Sequence, residues 1–204
     1  MDINIHNMDC IRGMMDLKIG SVDLIIADPP YGIDYQSCRG GGPKRFPVIA
    51  NDGRPFIWFL YEAYRVLDER GGIFIFCRED VMKEFEFGLN IAGFQIKSHI
   101  VWNKMHHGMG DLKSSFAPTH EMILFATKGK FVFPTKRPKD VIDMKRVSAN
   151  KLIHPNEKPV ELFEYLIEHT TTKGQTILDP FMGSGNSGAA AIGLERNYIG
   201  YEID

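Results

Sequence analysis

The sequence predicts an α/β fold with a mostly parallel, twisted sheet. Short apolar stretches alternate with stretches of helical periodicity, and a glycine-rich turn at 183–185 joins a strand to a helix. The stretch VDLIIA at 22–27 is apolar apart from Asp23. Such a continuous apolar run is typical of a parallel strand that is covered on both sides. We therefore expect helices on both faces of the sheet.

The predicted elements follow one another along the whole chain. Residues 3–5 and 22–27 are predicted to be buried strands, and residues 56–67 have apolar side chains at helical spacing. The Gly71-Gly72 pair is expected to end that helix before a strand at 73–77. The further predictions are a helix at 81–92, strands at 96–102 and 122–126, an irregular basic segment at 127–152, a helix at 159–169, a strand at 175–178, a helix at 186–193 and a strand at 198–203.

Composition limits the class of protein. The 204 residues suit one domain, and the net charge of −2 excludes a uniformly basic nucleic-acid binder. We expect a cytoplasmic protein without a membrane partner, because no apolar run reaches the length of a membrane span and no signal peptide is evident. Cys10, Cys38 and Cys77 lack the spacing of a disulfide framework or a zinc site. Basic clusters at 36–54 and 128–151 are interpreted as solvated surface or as local nucleic-acid contacts.

The motif Asp28-Pro29-Pro30-Tyr31 follows the strand VDLIIA directly. Ligands of open α/β sheets bind beyond the carboxyl ends of strands. Two prolines remove two N–H donors and hold backbone carbonyls out as acceptors, beside a carboxylate and an aromatic ring. This set suits the amino group of an aromatic base, although a simple strand-ending turn has the same composition.

Two further motifs lie near the C-terminus. Asp179-Pro180-Phe181-Met182-Gly183-Ser184-Gly185 joins a strand to a helix, and Glu202 ends the next strand. This pattern is that of a tight turn or of a site for an adenosine-containing cofactor whose ribose contacts Glu202. The segment HPNEKP at 154–159 starts a helix just before this turn; it is either an ordinary proline-started helix or a source of Lys158 for a carboxylate.

The order DPPY, HPNEKP, DPFMGSG resembles that of the DNA amino-methyltransferases of the beta class, in which the catalytic motif precedes the FxGxG cofactor motif. Other matching pieces are NMDC at 7–10, RVLDERGGIFIF at 65–76, IVWNK at 100–104, HEMILFATKGK at 120–130 and YIGYEID at 198–204. The resemblance spans nearly the whole chain. It implies a class I, Rossmann-like methyltransferase fold with circularly permuted motif order, one catalytic domain over 1–204, S-adenosylmethionine as cofactor without a metal, and double-stranded DNA as partner.

The resemblance also assigns roles to single residues. Asp28 and the backbone carbonyl of Pro29 are expected to accept hydrogen bonds from the target amine. Pro30 completes the catalytic motif, and Tyr31 is expected to stack on the extruded base. The implied cofactor residues are Asp9 and Cys10 at the adenine ring, Glu202 at the ribose, Phe181, Gly183, Ser184 and Gly185 around the pocket, Asp179 near the ammonium and Lys158 near the methionine end.

DNA contacts are expected from two segments near the predicted site. They are Arg39, Lys44 and Arg45 in a glycine-rich loop, and Lys104, His106 and His107 in the segment 103–118. The motif DPPY, with aspartate in its first position, resembles the corresponding motif of adenine-N6 enzymes more than that of cytosine-N4 enzymes. Both amines present the same two donors, so the physical chemistry alone leaves N4-cytosine methylation as the alternative.

The chain departs from the larger members of this class in two places. Only residues 131–153 are available for target recognition, which predicts a short recognition site, help from a second subunit or weak specificity. The larger members also continue with a helix after the last strand, and we therefore consider a homodimer or a shortened chain. Two alternatives of another class are an RNA or protein amino-methyltransferase and a non-catalytic cofactor-binding subunit.

Overall fold

The computed structural model describes residues 1–32, 53–107, 113–147 and 157–203. Its strands are β1 (Ile3–Asn7), β2 (Val22–Ala27), β3 (Leu67–Cys77), β4 (Gln95–Asn103), β5 (His120–Thr127), β6 (Val141–Asp143), β7 (Thr176–Asp179) and β8 (Asn197–Glu202). Its helices are α1 (Cys10–Met15), α2 (Leu60–Val66), α3 (Met82–Ala92), α4 (Val160–Thr170) and α5 (Asn186–Gly193), with a 3₁₀ turn at Glu79–Val81. None of the helices in these described ranges has the length and apolar character of a membrane span.

The eight strands form one sheet in the order β1-β8-β7-β2-β3-β5-β4-β6. The first five strands in this order are parallel, β5 runs antiparallel to both of its neighbours, and β6 pairs parallel with β4. The prediction of a mostly parallel sheet in an α/β fold is confirmed. The central strand β2 is buried as expected, since Leu24, Ile25 and Ile26 are at most 1% exposed.

The strand directions bring distant parts of the chain to one edge of the sheet. β2, β7 and β8 are parallel neighbours, so Asp28, Asp179 and Glu202 all lie at or just after their carboxyl ends. Because β5 is antiparallel to β3, its first residues reach the same edge. Glu121 therefore lies near Asp28, although the two residues are far apart in sequence.

The helix predicted at 56–67 is shorter in the structure, and the glycine pair does not end it. α2 stops at Val66, and Gly71 and Gly72 lie inside β3. A Cβ at Gly71 would meet the Asp23 carbonyl at 2.8 Å, and one at Gly72 would meet the Phe125 ring at 2.7 Å. These glycines permit close approach of neighbouring strands. The sequence had instead predicted them at a helix terminus.

Residues 3–5 form the predicted strand, but the prediction that this strand is buried is wrong. β1 exists, but Ile3 and Ile5 are 43% and 59% exposed. Among the described residues, β1 lies at the edge of the sheet and pairs with β8 alone, so its side chains have fewer neighbours than those of a central strand. Helix α1, which Asp9 caps through the Arg12 backbone N–H, was not predicted.

The segment predicted as irregular at 127–152 begins with the last residue of β5, and its described residues 128–147 include the short strand β6. Phe131 and Phe133 pack against Phe125 of β5, with ring centroids 5.2 and 6.0 Å away. The first half of the 131–153 segment is thus attached to the sheet, and residues 148–153 lie outside the described part of the chain.

Candidate active site

The DPPY motif leaves β2 at the centre of the sheet edge. The backbone N–H of Phe56 donates to the Pro30 carbonyl at 3.1 Å, and Tyr31 forms an isolated bridge with Pro55. No donor within the described ranges bonds to the carbonyl of Pro29. That carbonyl is therefore available as an acceptor beside the Asp28 carboxylate.

Tyr31 is held by two carboxylates. Its hydroxyl lies 2.6 Å from Asp28 Oδ1 and 2.8 Å from Glu121 Oε1. Burial, followed by these two negative charges, raises the pKa of Tyr31 well above its usual value, so the phenol stays protonated and acts as a donor. Its ring packs edge-on against Phe85, with centroids 6.5 Å apart.

Lys158 lies next to Pro159, the residue that precedes α4. The residue is 5% exposed, and its ammonium donates to Asp28 Oδ2, lies 3.3 Å from Glu121 Oε1 and sits over the Phe76 ring. Burial alone would lower the pKa of Lys158, but the carboxylates of Asp28 and Glu121 raise it above its usual value. In the free protein this ammonium faces the DPPY motif.

Glu121 completes this cluster, and sequence analysis gave it no role. It is the second residue of β5, within the HEMILFATKGK stretch, and a carboxylate at the start of an otherwise apolar strand was the available signal. Burial would raise the pKa of Glu121, but Lys158 and Lys104 lower it to about 2. Lys104, predicted as a DNA contact, is bonded to Glu121 Oε2 at 2.7 Å.

The second predicted motif forms a tight turn between β7 and α5. Gly183 and Gly185 have φ angles of +48° and +79°, which favour glycine. The Gly183 N–H donates to Glu202 Oε2 at 2.6 Å, and Gly185 precedes the first residue of α5. The turn and the end of β8 therefore form one unit, with Ser184 partly exposed between the two glycines.

Asp179 is buried beneath this turn. Its carboxylate accepts hydrogen bonds from the Ser187 hydroxyl and from the Phe181 N–H, and Ser187 Oγ lies 2.8 Å from the Tyr198 hydroxyl. Burial raises the pKa of Asp179 to about 7 despite these donors. This carboxyl therefore titrates near neutral pH.

A small, open cleft of about 50 Å³ lies between the two motifs. Its lining residues are Met8, Asp9, Cys10, Pro30, Phe56, Pro180, Phe181, Glu202 and Ile203. Pro30 of the DPPY motif and Phe181 of the glycine turn thus face one cleft. Lys158, Gly183, Ser184 and Gly185 are not part of its lining. Burial raises the pKa of the Cys10 thiol to about 12, so Cys10 contributes a neutral wall.

The walls of this cleft combine apolar side chains with two carboxylates, Asp9 and Glu202. Apolar faces suit a purine ring and a carboxylate suits ribose hydroxyls, so the residues present fit an adenosine-containing cofactor. The Phe181 ring is fixed by an edge-on contact with Phe59, with centroids 4.9 Å apart. Phe56 lines the cleft and Phe59 packs against it, although both were predicted only as helix residues.

The residues predicted to contact DNA are only partly within the described ranges. His106 and His107 are exposed and stacked, with ring centroids 5.4 Å apart. Arg39, Lys44 and Arg45 lie outside the described residues. Within the described ranges no group of three or more His, Cys, Asp or Glu residues could hold a metal ion, and Cys10 and Cys77 are buried free thiols.

Comparison with known proteins identifies the family. Residues 22–204 match the N6_N4_Mtase family, described as DNA methylase. The chain is 33% identical over 199 residues to YubD of Escherichia coli (strain K12), covering 96% of this chain and 82% of that protein. It is 30% identical to the type II methyltransferase M.HpaI of Haemophilus parainfluenzae, covering 100% of this chain and 71% of that protein.

The fold is similar to that of solved DNA methyltransferase structures. The crystal structure of the M1.HpyAVI–SAM complex aligns with a TM-score of 0.73 and 27% sequence identity, covering 99% of this chain and 94% of that chain. The predicted Rossmann-like class I methyltransferase fold is therefore confirmed. The chain belongs to the N6/N4 family of DNA methylases and is a DNA methyltransferase.

Proposed function

We propose that this chain transfers a methyl group from S-adenosylmethionine to the exocyclic N6 amine of adenine in duplex DNA. We further propose that it belongs to the beta class, since DPPY at 28–31 precedes the turn at 179–185. The proposal rests mainly on one observation: Pro30 and Phe181 line the same cleft. A base amine held at Asp28 would therefore lie next to a cofactor held by the glycine turn.

The cofactor would be bound by the walls of this cleft. Asp9, Cys10 and Phe181 would border the adenine ring, and Glu202 would accept the ribose hydroxyls. Asp179, buried under the same turn, would face the methionine ammonium, whose positive charge would favour the ionised form of this carboxyl. S-adenosylmethionine supplies a methyl group already activated on its sulfonium, so the protein must align the acceptor amine.

Asp28 and Pro29 would provide this alignment. An exocyclic amine is a weak nucleophile because its lone pair is delocalised into the ring. Two acceptors that take its two hydrogens, Asp28 Oδ and the Pro29 carbonyl, favour a geometry in which the lone pair points toward the methyl group. Alignment of this kind contributes on the order of 7–11 kcal/mol in favourable cases. Asp28 would also stabilise positive charge on the nitrogen during transfer.

The target base must leave the duplex to reach Asp28, at a cost of a few kcal/mol. We expect Tyr31 to border the extruded base, and Arg39, Lys44, Arg45, His106 and His107 to contact phosphates beside it. Lys104 would contribute inside the active site, because its ammonium is paired with the Glu121 carboxylate. Residues 131–153 are the proposed target-recognition segment.

The test is tritiated-methyl transfer from S-adenosylmethionine to duplex DNA, with RNA and protein as parallel substrates. Incorporation into DNA alone supports the proposal, and its absence from DNA contradicts it. Modification-sensitive sequencing of DNA from cells that express the chain then identifies the base and its sequence context. N6-methyladenine supports the proposal, whereas N4-methylcytosine would replace it by the alternative with the same site.

A further inference from the structure

The two donors that hold Asp28 share a second acceptor. The Tyr31 hydroxyl bonds to Asp28 Oδ1, and the Lys158 ammonium bonds to Asp28 Oδ2. Both donor atoms also face Glu121 Oε1, the hydroxyl at 2.8 Å and the ammonium at 3.3 Å. A phenol has a single hydrogen, so Tyr31 can bond fully to only one of these carboxylates at a time.

This arrangement conflicts with a base amine that binds at Asp28. Each carboxylate oxygen of Asp28 already accepts a hydrogen bond. In addition, the Lys158 ammonium would repel an amine nitrogen that gains positive charge during transfer. Each oxygen keeps one further lone pair, but the nearby ammonium opposes the charge that develops on the amine, so we expect the ammonium to shift away from Asp28 when the amine arrives.

The Lys158 ammonium cannot leave Asp28 at low cost unless it keeps a carboxylate partner. Its side chain is 4% exposed, and a buried ammonium without a counter-ion is strongly unfavourable. Glu121 is the carboxylate that already lies within 3.3 Å of it. A small shift of the ammonium toward Glu121 would retain the ion pair and free Asp28.

Glu121 is itself fixed in place and charged. Lys104 bonds to Oε2 at 2.7 Å, which leaves Oε1 for Tyr31 and Lys158. Glu121 pairs with Trp102 of β4, and the next residue of β5, Met122, pairs with Cys77 of β3, so the backbone at Glu121 is held in the sheet. Its side chain is only 10% exposed, so water competes weakly for Oε1.

We propose that Glu121 is a positioning residue for methyl transfer, whose Oε1 receives the Tyr31 hydroxyl and the Lys158 ammonium when the base amine engages Asp28. This inference rests on the proposed function, because it requires an amine at Asp28. Only hydrogen bonds are exchanged, and no covalent bond forms or breaks at Glu121.

The test combines Glu121→Gln, which keeps the shape but removes the charge, with Lys158→Met and the double variant. Single-turnover methyl transfer is measured at saturating S-adenosylmethionine on duplex DNA that contains the sequence identified as above. Calorimetry gives the dissociation constant of S-adenosylmethionine, and 2-aminopurine at the target position reports base extrusion. Glu79→Gln, a 79% exposed carboxylate near the same sheet edge, is the matched control.

We expect Glu121→Gln to lower the single-turnover rate by about tenfold or more, with cofactor affinity changed by less than about threefold. In the Lys158→Met background the same change should have a several-fold smaller effect, because no ammonium then needs a partner. Glu121→Asp keeps the charge and should give a rate above that of Glu121→Gln. If Glu121→Gln folds poorly, Glu121→Asp serves as the second variant for the test.

Three results would overturn the inference and leave the proposed function standing, provided that the wild type methylates DNA. They are a wild-type rate in Glu121→Gln, strictly additive effects in the double variant, and a loss of cofactor binding that explains the whole rate loss. Absence of transfer by the wild type would overturn both the proposed function and the inference.

Discussion

The backbone N–H of Gly183 donates a 2.6 Å hydrogen bond to Oε2 of Glu202, and this bond joins the turn after β7 to the end of β8. The other oxygen, Oε1, accepts from the Ile203 N–H at 3.0 Å. The Glu202 carboxylate is therefore held in a fixed orientation at the wall of the cleft. A fixed acceptor of this kind can bind ribose hydroxyls without losing side-chain entropy.

Replacement of Glu202 by Gln should weaken cofactor binding. The amide keeps one oxygen acceptor but loses the charge and presents an NH₂ group to the Gly183 or Ile203 N–H. We expect the dissociation constant of S-adenosylmethionine to rise about tenfold, which corresponds to about 1.4 kcal/mol. Calorimetry checks this value, with Glu195→Gln, an exposed carboxylate paired with Lys173, as control. Equal affinity in both variants would contradict the assignment of Glu202.

Replacement of Asp28 by Ala should abolish methyl transfer and leave cofactor binding largely intact. The variant removes an acceptor for the base amine, whereas the Lys158 ammonium retains Glu121 as a partner. Tritiated-methyl transfer and calorimetry, performed on the same preparation, separate the two effects. Asp80→Ala, an exposed residue after β3, serves as control. Retained transfer in Asp28→Ala would refute the role given to Asp28.

Asp179 should make the free energy of unfolding depend on pH near neutrality. Its folded pKa of about 7 lies above the unfolded value near 3.8, so the folded protein binds the extra proton between these two values. This contribution to stability is complete below pH 4 and is lost as the pH rises through 7. The change amounts to about 1.4 kcal/mol per pH unit within this window.

Urea unfolding of the wild type and of Asp179→Asn at pH 5, 6, 7 and 8 checks this prediction. The difference between the two proteins isolates Asp179, because the other groups titrate in both. We expect the wild type to lose about 2.6 kcal/mol relative to Asp179→Asn between pH 5 and pH 8. A difference that is constant across this range would show that Asp179 titrates elsewhere.

Gly185 and Gly174 provide a matched pair of substitutions. Both have positive φ, +79° and +82°, and a Cβ at either position would meet no atom within 4 Å. Alanine at either site should therefore cost a similar strain energy of about 1–2 kcal/mol. Only Gly185 lies in the proposed cofactor turn, so Gly185→Ala alone should also weaken S-adenosylmethionine binding. Thermal unfolding and calorimetry measure the two effects, and an equal loss of affinity in Gly174→Ala would contradict the assignment.

Elements with a strong local signal were predicted correctly from the sequence. Helix α5 has the predicted bounds, and β2 is a buried strand followed by DPPY, because a continuous apolar run and a glycine turn act on the chain locally. Gly71 was misread for the opposite reason. Position 71 requires glycine because the Asp23 carbonyl of a neighbouring strand approaches it closely. No local sequence pattern records that long-range contact.

The sequence by itself determined the α/β class and the order of the motifs, since each depends on local periodicity or on a short motif. Of the nine residues that line the cleft, four were predicted as cofactor residues: Asp9, Cys10, Phe181 and Glu202. Tertiary structure decided which charges meet. The contact of Lys158 with Asp28, 130 residues earlier in the chain, and the place of Glu121 between Tyr31, Lys104 and Lys158 depend on strand order and direction. Sheet pairing is a long-range property, because β5 brings Glu121 to the edge where β2 ends only by running antiparallel to β3.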